Sequence, residues 1–348
     1  MKQQNPLYQT LRIASIKQEV ADFKTFTFEE GPNIQYKSGQ YLTLVHFSNS
    51  EEIRRSYSII SSPALSESLS IGVKRVDNGA LSRHLIDNAK PGDELLTTGA
   101  GGFFTFPADI EQYKQLFFFA AGSGITPILS LIKTALHQYS EVSIVLIYSN
   151  ASPSKTAFHS DLQLLQQQFS SRFHLELLFS NSFLLSKARL HRDLILQYLT
   201  SFITVNTSKV LFYICGPESY MRLCTYTLQE QGIHSDNIKK ENFFSNAAPS
   251  FKASPPDKQP HKVYITRGET HYEFTVQYPD SILATAKKQK IILPYSCENG
   301  RCGNCAVKCI KGTVWHSNNE VLTDKELQQG LILTCVGHPV NGDVELVL

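Results

Sequence analysis

Four cysteines toward the C-terminus, Cys297, Cys302, Cys305 and Cys335, are spaced C-x4-C-x2-C with the fourth well downstream. Four thiolates in that pattern can hold a [2Fe-2S] cluster, a centre that takes up and releases one electron at a time. The intervening Glu298-Asn299-Gly300-Arg301 and Gly303-Asn304 place two glycines where the backbone must wrap closely around the inorganic sulfides with its N–H groups inward. A side chain at either glycine would obstruct that approach. The competing chemistry is a structural zinc site, because Cys302-x2-Cys305 is also half of a zinc knuckle. Zinc sites usually supply a second close pair, whereas here the outer two cysteines stand alone.

The elements around these cysteines must present them. Lys262–Thr266 and Tyr272–Val276 read as two strands joined by a short Gly-containing turn. Residues 281–290 read as a helix, with Ser281 or Asp280 as N-cap and lysines in the last turn. Pro294 then delivers the chain into the cysteine loop. From the Leu-Pro-Tyr-Ser-Cys297 approach to the Leu-Thr-Cys335 departure, residues 262–348 resemble a plant-type ferredoxin domain. That resemblance implies an α+β fold of the β-grasp kind.

A second constellation lies at Arg55-Ser56-Tyr57-Ser58, after short β segments such as Phe23–Phe28 and Tyr41–Phe47. Segments rich in aromatic and β-branched residues between turn residues suggest a small antiparallel barrel. A planar guanidinium suits a phosphate, and an aromatic face covers a ring and excludes water. Val73-Lys74-Arg75 ends a strand. Gly79-Ala80-Leu81-Ser82 opens a helix, expected over 81–89, whose N-terminus favours an anion. Gly99-Ala100-Gly101-Gly102-Phe103-Phe104 follows. From about residue 113 the class changes. Gln115–Ala121 is a continuous apolar run, as in a strand buried on both faces of a parallel sheet. It leads into Gly122-Ser123-Gly124-Ile125-Thr126-Pro127 and a helix over 128–138. Two further strands, 142–148 and 209–215, give the alternating order of a doubly wound α/β domain. The second ends in Cys215-Gly216-Pro217-Glu218, and Glu241-Asn242-Phe243-Phe244 closes the region.

These motifs, in this order, resemble those of the ferredoxin–NADP reductase superfamily. The resemblance implies that Arg55 pairs with the flavin pyrophosphate, Tyr57 stacks on the isoalloxazine and Ser58 donates near flavin N5. It places Val73, Lys74, Gly79, Leu81 and Ser82 at the flavin phosphates, and Phe103 or Phe104 against the adenine. Gly122, Gly124, Thr126 and Pro127 are implied at the nicotinamide nucleotide pyrophosphate, with Cys215, Gly216 and Pro217 beside the nicotinamide. Glu241 is implied to approach the flavin, though packing explains Phe243 and Phe244 as well. Hydride transfer needs no acid, base or thiolate from the protein, so Cys215 need not be a nucleophile. Relatives that use NADPH grip the 2′-phosphate with arginines. Here Asn150 and Asn181 stand in those places, and Ser180, Lys155, Lys187 and Arg189 could compensate. NADPH is expected over NADH, and FAD over FMN.

The expected organisation is multidomain: a flavin-binding antiparallel β-barrel (1–107), a nucleotide-binding doubly wound α/β domain (108–245), a linker (246–260) rich in Pro, Ser and Ala, and the ferredoxin-like domain (261–348). Its 348 residues exceed one ordinary core. Thirty-three basic against thirty-one acidic residues leave a formal charge of +2, which gives no sign of nucleic-acid binding. No apolar run is long enough to span a bilayer, and Met1-Lys-Gln-Gln-Asn-Pro6 lacks the apolar stretch of a signal peptide. Outside the cluster motif, Cys215, Cys224 and Cys309 are an odd number, and a cytoplasmic location is expected. The whole pattern is similar to that of the reductase subunits of ring-1,2-phenylacetyl-CoA epoxidases and related oxygenases. It implies electron transfer from NAD(P)H through flavin and cluster to a partner protein, an oxygenase component. Another dehydrogenase or desaturase as acceptor, or a redox-sensing role, is the alternative. Glu298, Asn299 and Arg301 are expected to be exposed around the cluster and to meet that partner.

Overall fold

The computed structural model describes residues 7–48, 51–243 and 254–348. Residues 1–6, Phe244 and residues 246–253 of the expected linker lie outside the described residues. The chain divides into two compact units, one of them Tyr8–Phe243 and the other containing Phe244–Leu348.

The first unit begins with β1 (Gln9–Val20), β2 (Phe23–Phe28), β3 (Tyr41–Ser48), β4 (Glu51–Ser58), β5 (Ser70–Lys74), the helix α1 (Ala80–Asp87) and β6 (Glu94–Gly101). Their order in the sheet is β4-β3-β6-β1-β2-β5. The chain beyond β4 closes this sheet on itself: Ile59 bridges Ile71 of β5, and the Ile60 N–H donates to the Ser70 carbonyl at 2.9 Å. Period-two alternation sends Phe26, Phe28, Leu42 and Leu44 inside, where Leu81, Leu85 and Ile86 of α1 plug the barrel.

A parallel sheet follows in the same unit: β7 (Gln115–Ala121), α2 (Ile125–Gln138), β8 (Ser143–Asn150), α3 (His159–Gln168), β9 (Phe173–Phe179), α4 (Arg192–Phe202), β10 (Val210–Cys215), α5 (Glu218–Glu230) and β11 (Ile238–Glu241). Strand order is β11-β10-β7-β8-β9. β10 and the first six residues of β7 are wholly buried, because α2 and α3 cover one face and α4 and α5 the other. Sequence reading did not delimit β9 and β11, the two edge strands. α2 starts three residues earlier than expected, since a 3-10 turn at Gly122–Gly124 feeds it directly.

The other unit carries β12 (His261–Arg267), β13 (Thr270–Val276), α6 (Ile282–Lys288), β14 (Ala306–His316), α7 (Asp324–Gln328), β15 (Leu331–Leu333) and β16 (Gly337–Val347). The order β13-β12-β16-β14-β15, with β12 parallel to β16 and the other pairs antiparallel, makes a mixed sheet. Ile282, Leu283 and Ala286 of α6 pack on its core. The Ser281 hydroxyl accepts from the Ala284 N–H at 3.1 Å, and so caps α6 as its spacing predicts.

Candidate functional site

The four motif cysteines fall into two pairs. Cys305 Sγ lies 3.2 Å from Cys335 Sγ, and Cys297 is hydrogen-bonded to Cys302. Within each pair the shared bond draws one thiol down, Cys297 and Cys305, and pushes its partner, Cys302 and Cys335, up, while the N–H groups of Asn299, Arg301 and Cys302 also favour the Cys297 thiolate. Backbone donors thus converge on sulfur as a thiolate requires. Among the described residues no three His, Cys, Asp or Glu side chains gather around a point suited to one metal ion. Two and two is the arrangement that two irons with two protein ligands each would need, so the donor set fits a [2Fe-2S] cluster and not a zinc knuckle. Gly300 allows the wrap: it sits at φ +72°, and a Cβ there would stand 2.6 Å from the Asn318 carbonyl oxygen. The surrounding charges differ from expectation. Glu298 is exposed, but the Arg301 side chain is only 10% exposed and is drawn in by Glu320 at 2.9 Å. Arg301 therefore braces the loop and does not present a charge outside it. The Cys309 thiol faces the carbonyl oxygens of Lys311 and Gly312, at 3.3 and 3.7 Å, and joins neither pair.

In the parallel sheet the chain order reverses between the central strands β7 and β10, and a crevice opens at their C-terminal ends. The loops leaving both strands meet there. A Cβ on Gly124 would stand 2.1 Å from the Cys215 carbonyl oxygen, so the two turns touch through backbone only. Gly122 has φ +54° with open space where a Cβ would be. α2 has Gly124 as N-cap and no capping side chain; the Ile125 N–H turns back to the Gly122 and Ser123 carbonyls and Pro127 has none, so an anion would meet the other main-chain N–H groups of this turn and the positive end of the helix. Thr126 donates back to the Ser123 carbonyl at 2.9 Å, and Pro127 lies in the first turn as expected. Pro217 caps α5 instead of starting it. Cys215 is wholly buried, and burial pushes its thiol well above the ordinary value, which removes it as a thiolate. Glu241 on β11 is level with Cys215 on β10. Burial lifts its carboxyl to about 8, and Oε2 has no partner among the described residues. Phe243 is 41% exposed, so core packing does not explain it. Ser180 follows β9 and donates its N–H to the Asn150 carbonyl at 3.0 Å. Lys155, Lys187 and Arg189 are exposed and form no ion pair among the described residues.

On the barrel, Tyr57 of β4 is level with Leu42 of β3, which is level with Ala100 of β6. Ser58, Tyr41 and Gly101 form the next row, so the Arg55–Ser58 segment and the glycine stretch flank one strand. Arg55 is exposed and donates to the Arg54 carbonyl at 2.7 Å. Ser58 is buried, and burial raises the Tyr57 phenol against the opposing pull of Arg55. α1 begins at N-cap Gly79 without a capping side chain. Lys74 ends β5 and lies 3.7 Å from Asp22. Val73, Leu81 and Ser82 are buried; they could meet a ligand at this turn through main chain alone. Phe104 corrects the reading of the glycine stretch. It is 3% exposed and packs edge-on to Tyr213 at 5.2 Å, leaving only Phe103 free to face an adenine.

Sequence reading missed the contacts that join barrel and parallel sheet. Thr126, Ser130 and Thr134 recur at every fourth position of α2 and share one face. A Cβ on Gly72 of β5 would stand 2.5 Å from the Thr126 methyl. Ser130 donates to the Ser61 carbonyl at 2.7 Å, and the Thr134 hydroxyl lies 2.6 Å from that of Ser62 and 2.5 Å from that of Ser38. Lys133 reaches Glu67 at 2.9 Å. The signal was hydroxyls at helical spacing in an otherwise apolar helix.

Three family models match in the order of the three sheets: an oxidoreductase FAD-binding domain over residues 10–106, an oxidoreductase NAD-binding domain over 118–225 and a 2Fe-2S iron-sulfur cluster binding domain over 265–340. The chain is 30% identical over 345 residues to one of the subunits of the 1,2-phenylacetyl-CoA epoxidase of Escherichia coli K12, covering 97% of this chain and 96% of that one. It is also 30% identical to the glycine betaine monooxygenase reductase subunit of Pseudomonas aeruginosa UCBPP-PA14, over 96% of this chain and 93% of that one. Among solved structures, phthalate dioxygenase reductase superposes with a TM-score of 0.61 at 24% identity over 98% of each chain. An intact type IV self-sufficient cytochrome P450 monooxygenase superposes at 0.72 and 19% identity, where this chain spans 41% of the larger protein.

Proposed function

The chain belongs to the family of NAD(P)H-dependent oxidoreductases that join FAD-binding, NAD-binding and 2Fe-2S domains and serve oxygenases as electron-transfer reductases, and from that premise we propose that it supplies an oxygenase of the phenylacetyl-CoA epoxidase type with electrons from NADPH through FAD. When bound, the three groups would supply the chemistry, the nicotinamide as hydride donor, the flavin as hydride acceptor and the iron–sulfur centre as single-electron carrier. The residues bind, orient and exclude water. Arg55 and the uncapped N-terminus of α1 hold the flavin phosphates, while Tyr57 covers the ring and Ser58 lies at its edge. Gly122, Gly124 and Thr126 offer main-chain N–H groups to the nucleotide pyrophosphate, while Pro127, which has no N–H, pre-sets the first turn of α2. Gly216 and Pro217 give the nicotinamide close access to backbone, next to Cys215 and to Glu241, whose carboxyl burial lifts to about 8. Lys187 and Arg189, with Ser180, take the 2′-phosphate in place of the absent arginines, which favours NADPH over NADH. Seven free cysteines fit a cytoplasmic location.

The observation that carries this reading is the meeting of the β7 and β10 turns at the crevice, in the unit that also holds the Arg55–Ser58 strand. The test is an anaerobic titration of the reconstituted protein with NADPH and, separately, NADH, followed by visible absorption and EPR. Flavin bleaching with a rhombic reduced [2Fe-2S] signal is expected, faster with NADPH. Bleaching without the EPR signal would sink the relay, and silence with both nucleotides would sink the reading altogether.

A further inference from the structure

α2 serves two places at once. Its N-terminus opens the nucleotide crevice, and its hydroxyl face grips the two loops that bracket the β3–β4 hairpin. Ser38 and Gly39 precede β3, while Ser61 and Ser62 follow β4, the strand that carries Arg55, Tyr57 and Ser58. Thr134 ties Ser38 to Ser62, both by hydroxyl, and Ser130 takes the Ser61 carbonyl; all five residues are buried. Gly39 adds a contact in which no side chain fits: a Cβ would stand 3.2 Å from Leu131 and 1.9 Å from the Phe104 carbonyl oxygen. Mid-helix serines and threonines commonly turn back to the carbonyl four residues earlier. Here Ser130 donates across to the barrel instead. A buried hydroxyl is directional, so the pairs fix an angle and a register that apolar packing alone would leave adjustable.

We propose that the Ser130 and Thr134 hydroxyls are positioning groups that set the spacing of nucleotide against flavin, and so govern the rate of flavin reduction and not the affinity for either group. The inference rests on the function proposed above. A displacement on the order of 1 Å in a positioned reaction costs up to about a hundredfold in rate. The experiment is anaerobic stopped-flow reduction of the full-length holoprotein by NADPH and NADH, comparing wild type with Thr134→Val, Ser130→Ala and Thr134→Ser. Expected is a fall of about tenfold or more in the limiting rate of flavin bleaching for Thr134→Val and Ser130→Ala. Nucleotide Kd should stay within about twofold, the nicotinamide–flavin charge-transfer band should weaken, and Thr134→Ser should recover the rate. Leu199→Ala, a core truncation on α4, should lower the melting temperature with the limiting rate untouched, separating positioning from stability. If Thr134→Val does not accumulate, Glu67→Gln releases Lys133 on the same helix from a partly exposed position and should give the same split in milder form. Unchanged limiting rates, or a loss confined to Kd, would overturn the proposal. Wild type unreactive toward both nucleotides would instead overturn the function on which it rests.

Discussion

Glu241→Gln isolates the effect of a carboxyl buried at the rim of the parallel sheet. Burial raises this group from an ordinary 4.5 to about 8. Between those values the folded chain keeps a proton that the unfolded chain has lost. Because the unfolded state then binds fewer protons, stability must fall as pH rises. The loss begins near pH 4.5, is complete near pH 8 and is constant above. At about 1.4 kcal/mol per pH unit the interval amounts to roughly 5 kcal/mol. Glutamine has nearly the same shape and no charge to bury, so the variant should be spared this loss. The assay is chemical denaturation of the full-length protein from pH 5 to 9, read by far-ultraviolet circular dichroism, because the single tryptophan, Trp315, reports on the other unit. The difference between variant and wild type should be small at pH 5, grow in the variant's favour to pH 8 and then level off. Parallel profiles would refute the argument, since they would mean that Glu241 ionises in the fold as it does in water.

Gly124→Ala drives a Cβ to within 2.1 Å of the Cys215 carbonyl oxygen, so the turns must part; nucleotide Kd should rise by about tenfold or more with flavin content unchanged, and equilibrium titration checks it. Lys187→Ala combined with Arg189→Ala should raise KM for NADPH by about tenfold and leave KM for NADH nearly unchanged, because only the 2′-phosphate loses partners; equal losses for both nucleotides would place the cations elsewhere in binding. Glu298→Lys reverses an exposed charge in the cluster loop and breaks its pair with Lys287 at 3.0 Å. Electron transfer to the oxygenase partner should slow severalfold and respond to ionic strength, while flavin bleaching by NADPH keeps its rate.

What the sequence disclosed depended on whether a signal was local. The cluster thiols are fixed by spacing, and β7 by a run of apolar residues that only a doubly covered strand can bury. β9 escaped because an edge strand mixes polar and apolar residues, with His174 half-buried between buried Phe173 and Leu175 and both Glu176 and Leu177 half-buried after them. β11 is four residues, Ile-Lys-Lys-Glu, with almost nothing apolar to mark it. Arg301 looked like a surface charge because the residue that draws it inward, Glu320, lies nineteen positions away. Adjacent Phe103 and Phe104 carry no local sign of which turns inward; Tyr213 decides it from a distant strand. The α2 hydroxyls were visible as residue types, but the distant partners of Ser130 and Thr134 come from two separate loops, at Ser38 and at Ser61–Ser62. Long-range pairing was the missing information in each case.

β11 also has a positional meaning. It is an edge strand held on one side only, by four parallel ladder pairs to β10 from Phe212–Ile238 to Cys215–Glu241. The chain leaves the first unit two residues after Glu241, at Phe243. The last of those pairs, Cys215–Glu241, is therefore the final rung of the parallel sheet before the chain passes out of this unit. The rung beside the switch point and the exit of the chain from this unit are the same few residues, so a substitution at Glu241 bears on the edge of the sheet and on the departing backbone together.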